Sequence, residues 1–144
     1  MMDLCVFCEI INGKIKARKI YETKYSTAFL DAFPLKEGHT LIISKRHKKK
    51  IQDLNIEEIS DIFTTLHFLT KHIEKAMECD SSLIAIHNGE KAGQEIPHVH
   101  IHIIPIKKTD KINSIHSMFI RENFLDNKND EIWKKITNNI QTEN

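Results

Sequence analysis

His98-Val99-His100-Ile101-His102-Ile103-Ile104-Pro105 alternates an imidazole with a branched aliphatic side chain and then stops at a proline. Successive side chains on a strand point to opposite faces, so His98, His100 and His102 share one face and Val99, Ile101 and Ile103 the other. The aliphatic face calls for a hydrophobic core beneath it. The imidazole face is then held rigidly, with neighbouring imidazoles roughly 6.7 Å apart at their Cα atoms. The predicted strand is His98 to Ile104, ended by Pro105. Such a row can place a neutral imidazole as a nucleophile, supply its neighbours as donors to phosphate oxygens, or ligate a metal. A nucleophilic histidine needs one ring nitrogen free and the other hydrogen-bonded, so that its tautomer is fixed. The central position, His100, suits this.

Upstream of the row lies a polar loop, His87 to Pro97 (HNGEKAGQEIP). Three of the chain's four glycines, Gly38, Gly89 and Gly93, stand just before strand-like segments that carry histidines. Phe7 to Asn12 reads as a short helix closed by Gly13. Lys19–Glu22, Ala28–Asp31, His39–Ser44 and Ser82–His87 read as strands, and Arg46–Lys50 as a basic loop. Asn55 to Cys79 is the clearest helix. Asn55 caps it, with Glu58 three residues on, and Ile56, Ile59, Phe63, Leu66, Leu69 or Thr70, Ile73 and Met77 recur at helical spacing. Asp130 to Ile140, with Ile132, Trp133, Ile136 and Ile140, reads as a second amphipathic helix. Strands that precede and follow one long helix without regular alternation favour an α+β domain with a mainly antiparallel sheet.

The 144 residues suit one domain, and 40% hydrophobic with 28% charged residues is a soluble, globular balance. A formal net charge of +1 gives no global electrostatic case for a nucleic-acid partner or an anionic membrane. No apolar run approaches the ~20 residues that span a bilayer. MMDLCVFCEI has neither a basic segment nor a signal-like apolar core, so the expected compartment is the cytoplasm, where Cys5, Cys8 and Cys79 stay reduced.

The row His98-Val99-His100-Ile101-His102-Ile103-Ile104 resembles the signature of the histidine triad (HIT) family. Other segments resemble it in the same order. Cys5-Val6-Phe7-Cys8-Glu9-Ile10-Ile11 with Gly13 is similar to the family's N-terminal segment. Ala28-Phe29-Leu30-Asp31, with Pro34 and Gly38-His39-Thr40-Leu41, is similar to its ribose-binding strand and the strand after it. Asn88-Gly89-Glu90 and Ala92-Gly93-Gln94-Glu95-Ile96-Pro97 are similar to its asparagine turn and glycine-glutamine loop. The resemblance runs from about residue 5 to residue 105, leaving 106–144 as a C-terminal extension, and it points to the bacterial Hint-like type.

It implies a HIT-like fold: a five-stranded, mainly antiparallel sheet with one long helix and a C-terminal helix, paired into a homodimer. It implies a hydrolase for purine nucleoside phosphoramidates or dinucleoside polyphosphates. His100 attacks the α-phosphorus, a nucleotidyl-histidine forms, and water releases the nucleoside monophosphate; no organic cofactor takes part. By the same resemblance His98 and His102 flank the phosphate and Asp31 accepts from the ribose hydroxyls. Phe7, Cys8, Ile11 and Phe29 form the slot for the base. Asn88, Gln94 and the backbone near Gly93 donate to phosphate oxygens. Glu95 falls where some members carry a serine that assists proton delivery to the leaving group, so the proton donor stays open. The family's common arginine after the final proline is replaced by Ile106.

Cys5-x-x-Cys8 has zinc-ligand spacing. In some relatives of this type such a pair joins two histidines, at positions corresponding to His47 and His98, around a structural zinc. Three other readings compete: a zinc-dependent hydrolase that uses the triad as catalytic ligands, a non-catalytic nucleotide-binding regulator, and a nucleotidyltransferase of the HIT type, which needs a second substrate site.

Overall fold

The protein is described here by a computed structural model covering residues 4–120 and 126–143. They fall into two compact units, one ending at Asp110 and one beginning at Lys111, each described by itself. The first contains α1 (Val6–Ile11), β1 (Lys19–Glu22), β2 (Ser26–Leu30), β3 (Thr40–Ser44), α2 (Ile56–Ala76), β4 (Ser81–Ala85) and β5 (His100–Ile106). The strands make one antiparallel sheet in the order β1-β2-β3-β5-β4. This is the α+β architecture expected from the sequence. No helix of the described residues is long and apolar enough to cross a membrane.

Two hydrophobic clusters lie on opposite faces of the sheet. Ala28, Ile42, Ile101 and Ile103 face α2, where Ile62, Leu66, Leu69 and Ile73 meet them. Ile101 and Ile103 are wholly buried, each contributing roughly 2–3 kcal/mol of burial; this anchors the backbone that carries the imidazoles. On the other face Phe29, Leu41 and Ile43 pack with Phe7 and Ile10 of α1. Leu41 pairs with His102 and Ile43 with His100, so the imidazoles emerge beside α1 and away from α2.

The capping box forms as expected: Asn55 Oδ1 accepts from the Glu58 amide at 2.9 Å, and Glu58 Oε2 accepts from the Asn55 amide at 3.2 Å. The buried stripe of α2 differs from the predicted one. Ile56 is 76% exposed and Phe63 43% exposed, while Ile62 and Thr65 are buried. Thr65 is tolerated there because its hydroxyl lies 3.2 Å from Ser26 Oγ, a partner that no helical periodicity can reveal.

β5 begins at His100 rather than His98. The Val99 amide donates instead to the Lys48 carbonyl at 2.7 Å, within the loop that follows β3. β2 and β4 are likewise shifted by a residue or two, to Ser26–Leu30 and Ser81–Ala85. In the second unit α3 spans Asp126–Thr142, longer at both ends than the apolar repeat suggested, and its Ile132, Trp133, Ile136 and Ile140 are exposed.

Gly38 turns the chain into β3 at φ +84°, and a Cβ there would lie 2.7 Å from Met77 Cγ and 3.1 Å from Pro105 Cγ. Gly38→Ala is therefore expected to destabilise the fold by about 1–3 kcal/mol. The urea midpoint should fall with the m-value unchanged; an unchanged midpoint would show that the turn relaxes freely.

Candidate active site

His100 is 6% exposed, with the Phe7 ring edge-on at a centroid distance of 5.1 Å. Its Nδ1 lies 2.7 Å from the carbonyl oxygen of His98. A carbonyl only accepts, so Nδ1–H donates and Nε2 carries the lone pair. The ring of His102 lies 5.0 Å away.

The tautomer of His102 follows from a chain of contacts. The Leu35 amide donates to His39 Nδ1 at 3.1 Å, which leaves the His39 proton on Nε2. That Nε2–H donates to His102 Nδ1 at 2.9 Å, so His102 carries its own proton on Nε2. A lone pair on His100 and a donor on His102 thus stand side by side. Burial, reinforced by the neighbouring His100, His39 and His87, pulls His102 down to about 4. Burial likewise lowers His100 and His39 below the ordinary histidine value. All three are neutral at physiological pH.

Asp31 closes one side. Its Oδ1 accepts from the Phe33 amide at 2.9 Å, and Oδ2 stands 3.5 Å from His39 Nε2, long enough to leave it acceptor capacity for a hydroxyl. Phe7 and Phe29 are buried edge to face at 5.9 Å, and Ile11 is half-buried against the same cluster.

Other expected residues are placed differently. The His98 ring does not flank the site. Its Nε2–H donates to the Ser44 carbonyl at 2.6 Å and its Nδ1 faces Cys5, Cys8 and His47; what His98 offers His100 is its backbone carbonyl. Cys8 belongs to that same cluster and not to the apolar slot. The Asn88 side chain accepts from the Ile51 amide and donates to Gln52 Oε1, both at 3.0 Å. Gln94 accepts from the Gly89 amide and donates to the Lys49 carbonyl, both at 2.8 Å. The Gly93 amide bonds to the Glu90 carbonyl at 2.9 Å, and Glu95 is exposed. Asn88 and Gln94 thus shape the loop with one N–H each and keep the second N–H of each side-chain amide, while the Gly93 amide is used within the loop.

His39 and His87 were not singled out from the sequence as site residues. His39 shares the face of Leu41 and Ile43, but that face becomes the site only once β3 is known to pair with β5.

Cys5, Cys8, His47 and His98 place one ligand atom each within 4.8 Å of one another. Tetrahedral zinc with Zn–N of ~2.05 Å and Zn–S of ~2.3 Å requires ligand separations of ~3.3 Å for N···N and ~3.6 Å for N···S. Here His47 Nδ1 and His98 Nδ1 are 3.2 Å apart, and three of the four Cys–His distances are 3.3, 3.4 and 3.7 Å. His98 Nδ1 carries the lone pair, and its Nε2–H rests on a carbonyl, the arrangement of a metal-bound imidazole. Burial and the adjacent Cys5 push the Cys8 thiol up to about 11, so two thiolates share this space only with a cation between them. The residues fit the ion. Arg46 steadies the loop beside His47 through Nε, 2.7 Å from the buried Glu58 at the start of α2.

An antiparallel sheet with one long helix on one face and neutral, hydrogen-bonded imidazoles on the other defines an α+β protein with a histidine-based site. The HIT domain family model matches residues 12–109, and the chain belongs to this family. It is 44% identical over 107 residues, 74% of the chain, to the adenosine 5'-monophosphoramidase of Saccharomyces cerevisiae, spanning 65% of that protein. It is 41% identical over 96 residues, 67% of the chain, to the asymmetrical bis(5'-nucleosyl)-tetraphosphatase of Schizosaccharomyces pombe, spanning 53% of it. The chain thus covers less than two thirds of the length of either relative. The histidine triad nucleotide-binding protein of Candida albicans superposes with a TM-score of 0.81 at 30% identity, over 98% of this chain and 100% of that one.

Proposed function

We propose that this chain is a nucleotide hydrolase. It acts at the α-phosphorus of purine nucleoside phosphoramidates or dinucleoside polyphosphates and passes through a nucleotidyl-His100 intermediate. The observation that carries this is the His100 tautomer: Nδ1 is bonded to the His98 carbonyl at 2.7 Å, which aims an unprotonated Nε2 away from the backbone. Such a nitrogen attacks phosphorus without a separate base and divides one difficult displacement into two easier ones. His102 Nε2–H stabilises charge on a phosphate oxygen, and Asp31 accepts from the ribose. The relatives' names support this class of substrate: a monophosphoramidase, a tetraphosphatase and an adenylylsulfatase each name a nucleoside phosphate joined to a different group.

Zinc is proposed at Cys5, Cys8, His47 and His98 as a structural ion that ties α1, the loop after β3 and the start of β5 together. His100 and His102 are not among that cluster's ligands; the other group close enough to hold an ion, Asp31, His39 and His102, lies at the proposed site and is the one a catalytic zinc would use. Pairing of two chains is supported by the exposed Leu83 and Ile84 of β4, an edge strand of the sheet.

Hydrolysis of a dinucleoside tetraphosphate in ¹⁸O-labelled water tests the reaction. The label is expected in the nucleoside monophosphate; label in the triphosphate product, or no turnover of either this substrate or an adenosine phosphoramidate, would overturn the reading. The acid limb of kcat/KM tests the site. A lowered histidine pKa means that the neutral pair survives to lower pH and is lost only when pH falls through the lowered value. Activity is therefore expected to persist below the ordinary histidine value of about 6.5. Half-loss at or above that value would contradict the buried, neutral pair.

A further inference from the structure

We propose that His87 is the acid that protonates the leaving group, a role that rests on the hydrolase reading above and answers the question Glu95 leaves open. His87 lies two residues past β4. Ala85 pairs with His102 across the β4–β5 ladder; continuing that register sets His87 opposite His100, on the same face of the sheet. Its ring is 6.1 Å from that of His102 and nearly perpendicular to it.

The loop holds this ring in one orientation. His87 Nδ1 lies 2.6 Å from the Ala92 carbonyl oxygen, so Nδ1–H donates to it. Gly93 closes over the ring at φ +90°, where a Cβ would stand 3.0 Å from Nδ1. Nε2 takes no hydrogen bond among the described residues and is not a buried unsatisfied atom, so it is open to substrate and solvent.

The other imidazoles are committed elsewhere. His39 accepts on Nδ1 and donates from Nε2. His98 spends Nε2–H on Ser44 and turns Nδ1 to the cysteines. His100 must keep Nε2 bare to attack. His102 accepts from His39, and its one proton serves a phosphate oxygen. His87 differs in that both of its forms are satisfied by the same contacts. Neutral, it donates Nδ1–H to Ala92 and has an empty Nε2; as imidazolium, it keeps that bond and adds Nε2–H. A residue that gives and then retrieves a proton needs this property.

The step balances. His100 Nε2 forms a bond to the α-phosphorus as the bond from phosphorus to the leaving nitrogen or oxygen breaks. That atom keeps the electron pair and takes the proton from His87 Nε2, leaving His87 neutral. Water then attacks phosphorus, its proton returns to His87 Nε2, and the pair of the N–P bond returns to His100. The nucleotidylated His100 and the protonated His87, both cationic, never coexist.

Leaving-group dependence of the full-length protein tests the assignment. The probes are an adenosine 5'-(N-alkyl)phosphoramidate, whose amine needs a proton to depart, and adenosine 5'-phosphorofluoridate, whose fluoride does not. His87→Asn keeps an N–H for Ala92 and removes the acid. It is expected to lower the ratio of the two kcat/KM values, amidate over fluoridate, about 10²–10³-fold. His87→Ala loses the loop contact as well and should fall further on both. Equal losses on both probes in His87→Asn, or no loss on the amidate, would reduce His87 to a loop contact and overturn the proposal. Failure of the wild type on both probes would instead sink the hydrolase reading, and this assignment with it.

Discussion

His100→Ala is expected to reduce kcat by about 10⁴-fold or more and to abolish the covalent adduct expected when the wild type is incubated with an adenosine phosphoramidate, quenched in alkali and weighed intact. No neighbour can take over the attack. The lone pair of His102 is already the acceptor for His39 at 2.9 Å, and both nitrogens of His98 are engaged, by the Ser44 carbonyl and by the cluster of Cys5, Cys8 and His47. Alanine also leaves a void against Phe7, whose ring sits 5.1 Å from the imidazole, and this costs roughly 1–3 kcal/mol. His100→Gln refills the space without restoring a nucleophile, so it should fold like the wild type and be equally inactive. An adduct on either variant, or turnover above about 1% of wild type, would remove His100 from the mechanism.

Stripping zinc, or replacing Cys8 by serine, is expected to have the largest effect on stability. The four ligands come from the cap and first turn of α1, from the loop after β3 and from the residue pair before β5. One ion there restrains segments 39 to 93 residues apart in the chain. At free zinc of about 100 to 1,000 times Kd the gain is about 3–4 kcal/mol, or roughly 10–15 °C in Tm for a unit of this size. Native mass spectrometry should show one zinc per chain in the wild type and none in the variant. The stripped protein should lose about 10–100-fold in kcat/KM, because the His98 carbonyl that orients His100 loosens, yet still form its adduct. Chelation that abolished adduct and turnover alike while leaving Tm unchanged would favour a catalytic metal.

Much of the fold was legible, because it rests on local rules. The period-two row from His98 to Ile104, the Asn55–Glu58 box and the apolar repeat of α2 named a strand and a helix with their faces nearly right. The errors fell where long-range partners override local preference. Thr65 is buried because Ser26 receives it, and Phe63 is left on the flank because Ile62 already fills the space over the sheet. At the site, residue type pointed to His100, His102, Asp31, Asn88 and Gln94, but not to the loop contacts that Asn88 and Gln94 make with Ile51, Gln52, Gly89 and Lys49. His87 went unmarked because nothing in HNGEKAGQEIP says which way its ring turns.

The sequence by itself determined that imidazoles stand in a row over a hydrophobic sheet, since alternation along a strand depends only on adjacent residues. Only the tertiary structure decided which nitrogen of each imidazole is free. A tautomer is set by the group opposite it, and those groups arrive from elsewhere: Ser44 for His98, and His39, 63 residues away in the chain, for His102. That assignment leaves one row of imidazoles with three different groups on offer: Nδ1 turned to the cysteines at His98, a bare Nε2 at His100 and an Nε2–H at His102.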